Sequence, residues 1–172
     1  MTRTPAGRRA GGAATPAISV IVPVYNGEAV LAQSLLPLVA FRLDGEVAEV
    51  IVVDDGSTDS SAWIATEAGA RVVPSGGRLG PGGARNRGAE VATGEVLWFV
   101  DADVVVHTDA ARVLKDALAR TGAAAVFGTY DEFPAATNFL SQYKNLSHRH
   151  HHVRSERAAE TFWAGCGAVR AD

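Results

Sequence analysis

Two patterns alternate along the chain. Runs dominated by consecutive apolar, largely β-branched residues occur at 18–23, 49–53, 71–73, 95–100 and 123–127. Such runs describe strands covered on both faces of a sheet. Between them lie segments whose apolar residues recur at helical spacing. In 28–41 these are Val30, Leu31, Leu35, Leu38 and Val39. After Thr108 or Asp109, either of which can cap, they are Ala111, Val113, Leu114, Ala117 and Leu118. A helix capped by Ser57, Thr58 or Asp59 is expected to run to about residue 68. Another is expected over 84–92, with Arg85 and Arg87 in its first turn, and a more polar one over 138–152. Pro37 falls inside the first helical pattern and predicts a kink or an early end there. The stretch 161–170 reads as one or two short strands. Strands alternating with helices predict an α/β fold, a mostly parallel central sheet flanked by helices.

Composition narrows the picture without changing it. The chain has 172 residues, 47% hydrophobic and 20% charged, enough for one domain with its own core. A formal net charge of −3 gives no global basic field for nucleic acid. The single cysteine, Cys166, excludes an internal disulfide and a cysteine-based zinc site, and fits a reducing cytoplasm. No apolar run approaches the roughly 20 residues of a membrane span. Residues 1–16 are rich in Gly, Ala, Arg and Thr, lack an apolar signal region and read as a disordered leader.

The chemistry sits where strands end. Val96-Leu97-Trp98-Phe99-Val100 runs directly into Asp101-Ala102-Asp103. On extended backbone, carboxylates two residues apart leave on the same side. A converging pair suits a hard divalent cation that keeps positions for water and phosphate oxygens. A solvated acidic turn is the bland reading of the same three residues. Pro23-Val24-Tyr25-Asn26 and Asp54-Asp55-Gly56-Ser57 equip two further strand ends. In open α/β sheets, right-handed crossovers bring such ends to one edge, where ligands bind. Residues 75–83 form a glycine-rich loop. It is no dinucleotide fingerprint: Arg85 stands where a third glycine belongs, and the loop follows the third strand. A nucleotidyltransferase would need a lysine in the first turn, which has none.

Together, 18–26, 50–57, 80–88 and 97–103 resemble the glycosyltransferase family 2 pattern in order and spacing. The resemblance covers about residues 17–172. It implies a GT-A type fold and inverting transfer of a sugar from a nucleotide-diphospho-sugar, a UDP-sugar by preference. By position, it makes Pro23, Tyr25 and Glu28 the nucleoside pocket, with Asp54 or, by preference, Asp55 accepting a hydrogen bond from the base. Asp103 would hold Mn²⁺ or Mg²⁺ at the diphosphate, with Asp101 and Ala102 beside the ribose or metal. Arg85 is either a positive charge near the diphosphate or a surface arginine. Trp163 and Gly165 belong to a segment like the family's acceptor floor, where Trp163 stacks on a ligand or packs in the core. Cys166 reads as a small buried residue, not a nucleophile. His148 and His152 share a helical face that is either metal-binding or a solvated, acceptor-facing surface. The resemblance places the general base beyond Asp172, so the chain is expected to be a piece of a longer enzyme that binds donor but transfers poorly, with self-association through an uncovered end. The alternative is a non-catalytic nucleotide-sugar-binding module. The acceptor is a sugar, a lipid phosphate or a small molecule, and a lipid acceptor would put the protein at the inner face of the membrane.

Overall fold

A computed structural model describes residues 16–131, 139–154 and 164–171. The expected leader, save its last residue, and Trp163 lie outside these. The elements are β1 (Ile18–Val24), α1 (Leu31–Leu43), β2 (Glu49–Asp54), α2 (Ser61–Glu67), β3 (Arg71–Pro74), α3 (Gly80–Val91), β4 (Val96–Val100), α4 (Ala110–Thr121), β5 (Ala125–Phe127), α5 (Phe139–Arg154) and β6 (Cys166–Arg170). The six strands form one sheet in the order β3-β2-β1-β4-β6-β5. β1 pairs in parallel with β2 and β4, and β2 with β3. β6 runs antiparallel between β4 and β5. No helix among the described residues is long and apolar enough to cross a membrane.

The apolar runs become central strands because both of their faces are covered. All seven residues of β1 are buried. Alternate residues of β1, β2 and β4 feed two separate core clusters. Val20, Val22, Val52, Trp98 and Val100 join Leu31, Leu35 and Leu38 of α1, Ala65 of α2 and Leu114 and Leu118 of α4 on one face. Ile21, Ile51, Val53 and Phe99 join Ala84 of α3 on the other. The period of two within each strand thus sorts its side chains between two helical layers. Phe41 stacks on Trp98 with ring centroids 6.1 Å apart, tying α1 to β4.

Three local expectations are corrected. α1 starts at Leu31, not at residue 28, and continues through Pro37 to Leu43. Proline removes one helical hydrogen bond, but Leu31, Leu35, Leu38 and Phe41 are all fixed by the core, and their burial outweighs that loss. α3 starts at Gly80, four residues before the expected start, so Arg85 sits beyond the first turn. β4 ends at Val100, and Asp101 begins a turn closed by Val104 N–H donating to the Asp101 carbonyl at 3.0 Å. The extended-backbone argument for Asp101 and Asp103 therefore does not apply.

On α3, the two buried residues are the small ones, Ala84 and Gly88. A Cβ on Gly88 would lie 2.4 Å from Ile21 Cγ2 and 3.1 Å from Val53 Cγ2. The helix approaches the sheet as closely as a glycine permits. Gly88→Ala is expected to destabilise by about 1–3 kcal/mol through overpacking. Urea unfolding would report a lower midpoint with an unchanged slope.

Candidate functional site

The loops after β1 and β2 are laced together at the carboxyl edge of the sheet. Asn26 N–H donates to Ser57 Oγ (3.0 Å) and Thr58 N–H to Asn26 Oδ1 (2.8 Å). Gly27 N–H donates to Ser61 Oγ (2.8 Å) and Glu28 N–H to Asp59 Oδ2 (3.0 Å). Asn26 adopts φ 49°, a left-handed conformation that asparagine tolerates, and the turn at Gly56 has φ 82°. Glu28 Oε2 accepts from Ser60 N–H at 3.0 Å, so this residue braces the start of α2 and is not among the residues lining the pocket. Asp54 Oδ1 accepts from Ser57 N–H at 3.1 Å, which closes its own turn.

Beside this lacing lies a pocket of about 130 Å³. Pro23, Val24 and Tyr25 form one wall, Pro81 and Ala84 of α3 another, and Asp55 and Arg78 supply the charge. The Arg78 guanidinium lies 3.9 Å from the centroid of the Tyr25 ring. Asp55 is 4% exposed, and each of its carboxylate oxygens accepts a backbone N–H at 2.8 Å, from Leu79 and from Gly80. Those N–H groups head α3, so the carboxylate caps a helix that lacks a capping side chain of its own. This is what starts the helix at Gly80 despite three glycines in its first turn. With the Ser75 hydroxyl also bonding it, the carboxylate keeps about one of its four lone-pair positions for a ligand. Burial pushes the Asp55 pKa up, but the Leu79 N–H, the Ser75 hydroxyl, the Gly80 N–H and the Arg78 charge outweigh it and hold it below 3.8.

One residue beyond Ala84, Arg85 turns towards the acids. Its Nη2 bonds Asp101 Oδ1 in an ion pair, while its Nε is buried with no hydrogen-bond partner among the described residues. Asp101 is thus partly neutralised, and Asp103 stands exposed beyond it with Ala102 between. Asp101 N–H donates to the Gly165 carbonyl at 2.9 Å, which fixes the corner to the residue just before β6. Gly165 itself is buried. Burial raises the Tyr130 pKa first, and the charges of Asp103, Asp101 and Cys166 raise it further. Both carboxylates thus lie on the side of the molecule that holds this phenol. Burial also raises the Cys166 pKa, against a bond to the Trp98 side chain, and the Asp101 charge adds to the rise. The thiol stays protonated at neutral pH, in line with the packing role expected of it.

Sequence reasoning passed over Arg78 and Tyr130. Arg78 was hidden in a glycine-rich loop, where a single cation among backbone-permissive residues was the available signal. Tyr130 follows β5, which runs parallel to β4, so the strand-end rule applied to the first, second and fourth strands pointed to it as well. The described residues hold no group of three or more His, Cys, Asp and Glu suited to a metal. Two hard carboxylates beyond a strand end suit a divalent cation that takes its other ligands from diphosphate and water. Pocket and acids are adjacent because consecutive residues of α3, Ala84 and Arg85, serve one each.

Comparison with known proteins gives a matching frame. The family model of glycosyl transferase family 2 matches residues 19–170. A poly(ribitol-phosphate) beta-glucosyltransferase of Bacillus spizizenii is 38% identical over 102 residues, 54% of this chain and 16% of that protein. Glucosyl-3-phosphoglycerate synthase of Mycobacterium tuberculosis is 36% identical over 95 residues, 51% of this chain and 29% of that protein. The crystal structure of that synthase in complex with Mn²⁺ and UDP-glucose superposes with a TM-score of 0.66 at 27% identity, covering 92% of this chain and 57% of that one. The chain thus spans well under two thirds of these relatives. The fold is that of GT-A glycosyltransferases, as expected.

The Asp55 cap can be tested through pH. Its folded-state pKa lies below the unfolded value of 3.8, so its stabilisation is complete above that value and lost as pH falls through the folded one. Asp55→Asn would turn an amide N–H towards a backbone donor and is expected to cost about 1–3 kcal/mol at neutral pH. Urea midpoints should show the gap between parent and variant narrowing below pH 3.8. A constant gap would remove the charge from the explanation.

Proposed function

The chain belongs to glycosyl transferase family 2, and we propose that it forms the donor-binding part of an enzyme that moves a sugar from a nucleotide-diphospho-sugar to an acceptor with inversion. A UDP-sugar is the favoured donor and Mn²⁺ the favoured metal, with Mg²⁺ the other candidate. The observation that carries this reading is the adjacency, on one sheet edge, of the Asp55 pocket and the Asp101–Asp103 corner. The acceptor class stays as broad as the sequence allows: a sugar, a lipid phosphate or a small molecule.

Each residue has a physical task in this reading. Tyr25, with Arg78 stacked on it, and Pro23 offer flat walls to a planar base, and Asp55 offers a lone pair to a base N–H such as that of uracil. Asp103 would hold the metal, which supplies positive charge to the departing diphosphate when bound. Arg85 holds Asp101 in place and brings a second cation to the same corner. Asp54 and Glu28 act indirectly, by shaping the loops that carry Tyr25 and Asp55.

Titration calorimetry with UDP, with and without Mn²⁺, tests the assignment. Metal is expected to tighten UDP binding, and Asp103→Ala to remove that gain, by about 10–100-fold as for lost metal-site contacts. Asp55→Ala is expected to weaken UDP whether or not metal is present. UDP binding that ignores the metal in the parent chain would overturn the role of Asp103.

A further inference from the structure

Among the features that donor binding leaves unused is an exposed aromatic face on α5. Helices of globular domains turn their apolar stripe inwards. Among the described side chains of α5, two polar ones bond to the body: Asn145 Nδ2 donates to the Asp131 carbonyl at 2.7 Å, and Arg149 Nη1 to the Tyr130 carbonyl at 3.0 Å. Phe139, Tyr143 and Leu146, spaced four and three residues apart on one face, are 82%, 61% and 46% exposed. Phe139 and Tyr143 stack with centroids 6.2 Å apart. With Gln142, Ser147 and His150 they line an open groove of about 400 Å³. A contiguous exposed aromatic face of this kind marks a surface that meets something.

Charge decides between occupants. From Phe139 to Arg154 the helix carries Lys144, Arg149, Arg154 and four histidines, and no Asp or Glu. The chain as a whole carries −3, so this basic content is local. Two copies packed through α5 would bring like charges together, which opposes a self-complementary contact. An anionic lipid surface satisfies both halves of the pattern. Aromatic and leucine side chains enter the headgroup boundary, and the net positive charge of the helix sequence favours a negatively charged surface. We propose that α5 docks this domain on an anionic lipid bilayer, with Phe139, Tyr143 and Leu146 inserted at the headgroup level. Since Asn145 and Arg149 bond the carbonyls of Asp131 and Tyr130 just after β5, which ends on the same sheet edge as β4, docking would hold that edge near the lipid surface.

The inference does not depend on donor binding, and its test is separate. The 172-residue chain is co-sedimented with vesicles of phosphatidylcholine, with and without phosphatidylglycerol, in the absence of nucleotide. Binding is expected to vesicles containing phosphatidylglycerol, to weaken as salt rises, and to drop about tenfold in a Phe139→Ser/Tyr143→Ser/Leu146→Ser variant. The variant's thermal midpoint and its affinity for UDP are expected to stay at the parent's. Equal sedimentation of variant and parent, equal binding to neutral vesicles, or no binding would each overturn the proposal. So would a concentration-dependent dimer that the triple variant abolishes while vesicle binding persists.

Discussion

The Asp55 carboxylate determines where α3 begins, and most of the site follows from that. Its two oxygens take the Leu79 and Gly80 N–H groups, so a glycine-rich segment with weak helical preference starts as helix at one defined residue. Once the start is fixed, the helical period brings Ala84 and Gly88 onto the sheet and carries Arg85 to Asp101. A start one residue earlier or later would rotate these contacts by about 100°. The same anchoring leaves Arg78, just before the helix, over the Tyr25 ring. One buried charge thus links the base-sized pocket, the close helix–sheet packing and the ion pair at the acid corner.

What could be read in the chain beforehand follows from which forces are local. β1, β2 and β4 were legible because burial on both faces leaves an uninterrupted apolar run. The sharing of one edge by Pro23, Asp55 and Asp101 was legible because parallel pairing requires it. The start of α3 was not, because its cap comes from a residue 24 positions earlier in the chain. Pro37 misled for a related reason, since the local cost was visible and the tertiary burial of Leu35, Leu38 and Phe41 was not. For the acids, the backbone argument failed because β4 ends at Val100 and Asp101 already lies in a turn.

The two carboxylates of the corner have divided their work. Asp101 accepts from Arg85 and, through its N–H, is fastened to Gly165, while Asp103 has the more open position. A pair of free acids side by side would repel each other and bind protons as readily as metal. Placing a guanidinium on one of them offsets part of that repulsion. The orphaned Nε of Arg85 shows that the guanidinium was positioned for this corner at some cost to its own solvation.

The sheet order carries a consequence for how the molecule assembles. β6 follows β5 in the chain and is the last of the described strands, yet it lies between β4 and β5. β1, β2, β3 and α3, which supply the walls of the Asp55 pocket, all precede β4 in the chain, whereas β5 has β6 as its partner strand. The outer edge of β4 is covered by Cys166–Arg170, which pairs on both of its sides. That pairing is a non-local step, the kind that folds late and leaves an edge unprotected meanwhile. It also delivers the Gly165 carbonyl to Asp101. The pocket walls are thus all encoded before residue 85, whereas the acid corner draws on a residue eighty positions further on.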